Sequence, residues 1–136
     1  MKKISRRGFM KNTSMAAAAA TVAMPVGDDG KKKNLFVHHV YFWLKKPGDA
    51  ADTAKLIEGL ETLLKIPGIR MAHIGKPAST DRSVIDRSYA VSWLLVFDNL
   101  EDEEIYQKHP DHLKFVENYA HLWEKVIVYD SEGKKY

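Results

Sequence analysis

The chain of 136 residues contains no cysteine. That excludes disulfides, thiol nucleophiles and thiolate metal sites, and it suits an oxidising compartment, where no thiol can mispair. Long hydrophobic runs are scarce too. The apolar stretch near the N-terminus, "MAAAAATVAM" (Met15–Met24), falls short of the roughly 20 residues that a membrane span needs, so no stable membrane anchor is expected. Nor is there a strong charge of one sign. Residues 1–24 hold five of the 21 basic side chains (Lys2, Lys3, Arg6, Arg7, Lys11) and no acidic one, which leaves 16 basic against 18 acidic, a formal charge of −2. The apparent basicity therefore belongs to the start of the chain, and the remainder offers nothing to nucleic acid. Internal repeats are absent.

What stands at the start is a charged segment, an apolar run and a small-residue end, in that order. "SRRGFMK" (Ser5–Lys11) precedes the alanine run, and "TVA" (Thr21–Ala23) supplies an A-x-A-like cleavage site. The adjacent arginines resemble the twin-arginine signal, an address that a receptor reads. Residues 1–24 are expected to be that signal, and the mature protein to be exported, most simply to a periplasm. "PVGDDGKKKN" reads as a linker over 25–34. One domain follows over 35–131, with a C-terminal tail at 132–136. About 95 residues build one two-layer core.

Periodicity orders the domain. "LFVHHVYFWL" (Leu35–Leu44) is rich in β-branched and aromatic residues and reads as a strand. One face carries Phe36, His38, Val40, Phe42 and Leu44; the other carries Val37, His39, Tyr41 and Trp43. Asp49–Ile66 is helical, with Leu56, Ile57, Leu60, Leu63 and Leu64 on one stripe, and Pro67-Gly68 ends it. Ile69–Gly75 and Tyr89–Phe97 read as strands. The acidic Asp98–Lys108 starts a short helix, Pro110–Trp123 forms a second main helix, and Glu124–Ser131 a fourth strand. The order β-α-β-β-α-β predicts an α+β, ferredoxin-like protomer with helices on one face of a four-stranded sheet. The first strand is apolar on both faces, so the face without helices needs a cover. A second copy packed sheet to sheet supplies it, which predicts a homodimer.

The stretch "YQKHPDH" (Tyr106–His112) concentrates the chemistry. Pro110 suits the first helical position, and His109 caps the helix or points outward. His112, Phe115, Val116, Tyr119 and Trp123 share one stripe, so His112 points between helix and sheet. The helix dipole and apolar surroundings both disfavour its cation. A neutral imidazole accepts a proton, as a general base must, and a phenol at Tyr106 donates a hydrogen bond to a carbonyl or enolate oxygen. His39 is a third polar group if its face is the helix-covered one. A metal site from His39, His109 and His112 is disfavoured, because "HPDH" lacks the i, i+4 pair that puts two ligands on one helical face.

With these residues placed, the chain from about Leu35 to Asp130 resembles the stress-responsive A/B-barrel domain, the Dabb family of dimeric α/β barrels. "HHVYFWLK", "IPGI", "YQKHPDHLKF" and "LWEKVIVYD" carry the resemblance. It implies a ferredoxin-like protomer that forms a dimeric α/β barrel. Its plant olivetolic acid cyclase branch closes a linear polyketide by aldol condensation, using a histidine base and a tyrosine in a hydrophobic pocket, without a cofactor. Carried over, the histidine is His112, the tyrosine Tyr106 and the strand histidine His39. The implied pocket wall is Tyr41, Trp43, Leu56, Trp93, Leu95, Phe115, Trp123, Val126 and Val128. Tyr41, Trp43 and Trp93 replace smaller aliphatic residues of that branch, which shortens the cavity. Two functions stay open: a pocket that binds a small hydrophobic or aromatic ligand, and a cofactor-free lyase or cyclase acting on a carbonyl substrate.

Overall fold

A computed structural model describes residues 34–136. The signal and nearly all of the linker expected from the sequence lie outside the described residues. Strand β1 (Asn34–Leu44) leads into helix α1 (Ala50–Glu61), and strands β2 (Met71–Gly75) and β3 (Val91–Phe97) follow. Helices α2 (Leu100–Lys108) and α3 (Pro110–Tyr119), a short 3₁₀ turn (Ala120–Leu122) and strand β4 (Trp123–Lys134) complete the domain. The sheet order is β2-β3-β1-β4, with every neighbouring pair antiparallel. This is the α+β, ferredoxin-like arrangement.

Local chemistry explains where the helices begin. Asp49 caps α1 by accepting from the Asp52 amide at 2.8 Å, and Asn99 caps α2 by accepting from the Asp102 amide at 2.9 Å. Glu101, Asp102 and Glu103 then fill the first turn of α2, where the macrodipole favours negative charge. Pro110 opens α3, and His109 caps it, Nδ1 accepting from the Asp111 amide at 3.1 Å.

The helix ends differ from the sequence reading. Helix α1 stops at Glu61 rather than Ile66. Residues 62–66 continue as tight i→i+3 turns (Leu63 N–H to Leu60 O, Ile66 N–H to Leu63 O), which keep Leu63 and Ile66 in the core and so preserve the helical-looking stripe. Helix α3 likewise stops at Tyr119, because Trp123 is claimed by pairing with Leu44. Strand β4 runs past Ser131 to Lys134, since Glu132, Gly133 and Lys134 pair with Phe36, Leu35 and Asn34. Gly68 takes a φ of +94°, the left-handed conformation that lets the chain leave α1 toward β2.

The helices cover one face of the sheet. Phe36, Val40, Phe42 and Leu44 of β1 are buried there with Leu56 and Leu60 from α1, Leu63 from the turn after it, and Val91, Trp93, Leu95 and Phe97 from β3. The opposite face presents Val37, His39, Tyr41 and Trp43 of β1, all half-buried, and exposed Tyr129 of β4. Tyr41 meets the ring edges of Tyr89 and Tyr129 at centroid distances of 4.9 and 6.0 Å. Lys125 Nζ lies 4.6 Å from the centre of the Trp43 ring.

Candidate functional site

A cavity of about 170 Å³ opens between the sheet and the helices α2 and α3, near the edge strand β4. An apolar cavity of roughly 150 Å³ holds one benzene ring, so this space fits a single-ring ligand. Val40, Phe42, Trp93, Phe115, Val116, Trp123, Val126 and Val128 supply the apolar wall; His38, Tyr106, Gln107 and His112 supply the polar groups.

Helix α2 brings Tyr106 inward, where it is 1% exposed. Its hydroxyl oxygen accepts from Trp93 Nε1 at 3.0 Å. Burial pushes its pKa up; the Trp93 hydrogen bond opposes this, and the charge of Glu103 adds to the rise. The phenol therefore keeps its proton, and with Trp93 occupying an oxygen lone pair the O–H remains a donor.

His112 sits in the first turn of α3 with its ring 4.8 Å from that of Tyr106. Its Nδ1 is buried and has no hydrogen-bond partner among the described residues. Burial lowers its pKa from the ordinary value near 6.5, the Gln107 backbone works the other way, and the neighbouring His38 lowers it further. A neutral imidazole with an unpartnered nitrogen beside an apolar cavity is an unsatisfied polar group, and such groups in folded chains call for an explanation.

The strand histidine of the site is His38, a correction of the sequence reading. His39 lies on the opposite face of the sheet, where Tyr41 Oη is 3.2 Å from its Nδ1, and burial followed by the charges of His73 and His38 lowers its pKa. His38 is buried under the helices, its Nδ1 2.7 Å from Asp130 Oδ1 across the β1–β4 pair and 3.6 Å from Glu103 Oε1. Asp130 accepts only, so the Nδ1 proton is donated to it and Nε2 is left for other partners.

The inferred pocket wall divides in three. Trp93, Phe115, Trp123, Val126 and Val128 line the cavity. Leu56 and Leu95 are fully buried in the core and are not among the residues that line the cavity. Tyr41 and Trp43 line a different depression on the helix-free face, with Asp86, Tyr89 and Tyr129; strand alternation sends them away from His112. The same alternation keeps His39 from joining His109 and His112 around a metal. Sequence reasoning missed His38, Gln107, Glu103 and Asp130. The available signal was the composition of the two faces of β1: the face of His38 holds only aliphatic residues and phenylalanine besides it, the mark of the more deeply buried side.

Residues 36–132 match the family model for Dabb, described as the stress responsive A/B barrel domain. Solved structures share the fold. A Dabb family protein with a ferredoxin-like fold from Mesorhizobium loti has 22% identity and a TM-score of 0.60, over 73% of this chain and 96% of that one. A dimeric ferredoxin-like protein from Thermobifida fusca has 18% identity and a TM-score of 0.59, over 74% and 92%. The hydroxynitrile lyase of Passiflora edulis has 17% identity and a TM-score of 0.62, over 78% and 98%. No curated protein matches the chain.

Proposed function

The chain belongs to the Dabb family of stress responsive A/B barrel domains, and on that footing we propose that it is an exported homodimer whose cavity binds a small, mainly apolar ligand carrying a carbonyl or similar oxygen. The observation that carries this reading is the buried His112 Nδ1 without a partner, beside the Tyr106 hydroxyl in an otherwise apolar wall. A ligand that fills the cavity satisfies these groups and removes its own apolar surface from water. The test is a titration of the full chain with single-ring aryl ketones, with Trp93 and Trp123 in the cavity wall as fluorescent reporters. Saturable quenching that is weakened in His112→Ala supports the reading; quenching that rises linearly and alike in both contradicts it.

A second reading, cofactor-free lyase or cyclase chemistry, is favoured by the His38–Asp130 pair alongside neutral His112. In it His112 takes a proton alpha to the carbonyl and Tyr106 donates to the developing enolate oxygen, while His38, held by Asp130, bounds the cavity on the sheet side. Exchange of alpha protons for deuterium in bound ketone, lost in His112→Ala, tests this step.

The homodimer rests on the helix-free face, where Val37, Tyr41 and Trp43 would otherwise meet water. Among the described residues no helix is long and apolar enough to cross a membrane. Export rests on "SRRGFMK" ahead of the alanine run. Changing Arg6 and Arg7 together to lysine should hold the precursor in the cytoplasm, whereas undiminished export would exclude the twin-arginine route.

A further inference from the structure

Helix α2 places a carboxylate inside the domain. Glu103 is 6% exposed, and Gln107 stands one turn later on the same face. Glu103 Oε1 accepts from Gln107 Nε2 at 2.7 Å. A carboxylate oxygen has no hydrogen to offer, so it selects the amide's nitrogen end over its oxygen end. The other amide hydrogen lies toward His38 Nε2, 3.5 Å away, which accepts it in the tautomer whose one ring proton is on Nδ1 against Asp130. Both hydrogens of the amide are thereby committed. Its carbonyl Oε1 is the group without a hydrogen-bond partner among the described residues, on a residue that lines the cavity.

We propose that Glu103 and Gln107 form a specificity pair: Glu103 holds the amide in one orientation, and Gln107 Oε1 accepts a hydrogen bond from a hydroxyl on the ligand. The ligand class follows by complementarity, and it rests on the pocket reading above. Tyr106 donates to a carbonyl oxygen while Gln107 accepts from a hydroxyl, so the cavity selects a hydroxy-substituted aryl ketone or aldehyde. An ether in place of the hydroxyl lacks the hydrogen and leaves Oε1 unpaired. Glu103 is a positioning residue in this scheme, acting through Gln107.

The experiment measures the affinities of meta- and para-hydroxyacetophenone against their methoxy counterparts, with acetophenone as reference, on the full chain. The ratio of hydroxy to methoxy affinity is the readout, because a general loss of binding leaves it unmoved. For at least one of the two positions the unmutated protein should favour the hydroxy compound by about 3- to 10-fold, the factor that one net hydrogen bond supplies. Glu103→Gln keeps the shape but removes the constraint on the amide, and Gln107→Met removes the acceptor; in each the ratio should fall toward one. Should Glu103→Gln fail to fold, Gln107→Met decides alone. Acetophenone binding without a hydroxy preference at either position, or a preference that persists in Gln107→Met, overturns the specificity pair and leaves the pocket reading standing. No saturable binding of any of the five compounds overturns both.

Discussion

Replacing Tyr106 by phenylalanine deletes one oxygen atom and strands one donor. Trp93 Nε1 donates to that oxygen at 3.0 Å, and both side chains are 1% exposed. Phenylalanine keeps the ring in place against Phe97 and His112, with centroids 5.5 and 4.8 Å away, so the packing loss is small. The buried indole N–H is left without its acceptor, which costs about 1–3 kcal/mol. For a domain of this size 1 kcal/mol corresponds to roughly 4–8 °C in Tm, so a mid-range loss of about 2 kcal/mol lowers Tm by roughly 8–16 °C. Urea and thermal unfolding should be compared at one protein concentration, because the midpoints of the proposed dimer would depend on it. In a Trp93→Phe background the same change should be milder by about 1 kcal/mol or more, since no donor remains to be stranded. A loss below about 0.5 kcal/mol in Tyr106→Phe alone would refute the reasoning: the indole would then be satisfied by another partner, and the Trp93–Tyr106 bond would not be what holds the phenol in place.

Acid should destabilise the fold through its lowered histidines. Burial depresses the pKa of His112 and His39, so the unfolded chain binds more protons once the pH falls below about 6.5; stability is full above that value and declines below it, and a urea midpoint that rises between pH 7 and pH 5 would contradict this. Leu94 pairs with His39 on the helix-free face, so Leu94→Asp should give a folded monomer by light scattering, whereas Val40→Asp should unfold the chain, because Val40 is buried under the helices and a charge there has no partner. A Leu94→Asp protein that stays dimeric would remove that face from the interface. Leu56→Ala, at a fully buried position, should lower stability by about 2–5 kcal/mol by chemical denaturation; a loss under about 1 kcal/mol would mean that the core relaxes around the gap.

The element order was legible because α1 and α3 each bury one face and so write a period of 3.6 into the sequence, while β1 and β3 are short runs rich in β-branched and aromatic residues bounded by turn and loop segments. His112 was legible for the same reason: its position on the α3 stripe sends it toward the sheet, and it lines the cavity with Tyr106. The choice between His38 and His39 was not settled by alternation, which separates the two faces of β1 without saying which one the helices cover. Only the cleaner aliphatic and phenylalanine composition around His38 carried that information. Helix ends were misplaced where tight turns keep Leu63, Ile66 and Leu122 in the core, because burial continues after the α-helical hydrogen bonds have stopped. Glu103 and Gln107 were hidden in an acidic run that looks solvated. Their placement depends on α2 lying against His38, and that long-range contact has no local signature.

The central assignment, a ligand cavity on the helix-covered face with His112 and His38 at its polar wall, is tested most directly by NMR of the six histidine imidazoles during titration with acetophenone. Saturable shifts at His112 and His38 are expected, with His39 and His73 on the other side of the sheet unmoved, and the His112→Ala protein should show a weaker shift at His38. Saturable shifts at His39 and His73 with none at His112, or no saturable shift at any histidine, would contradict the assignment.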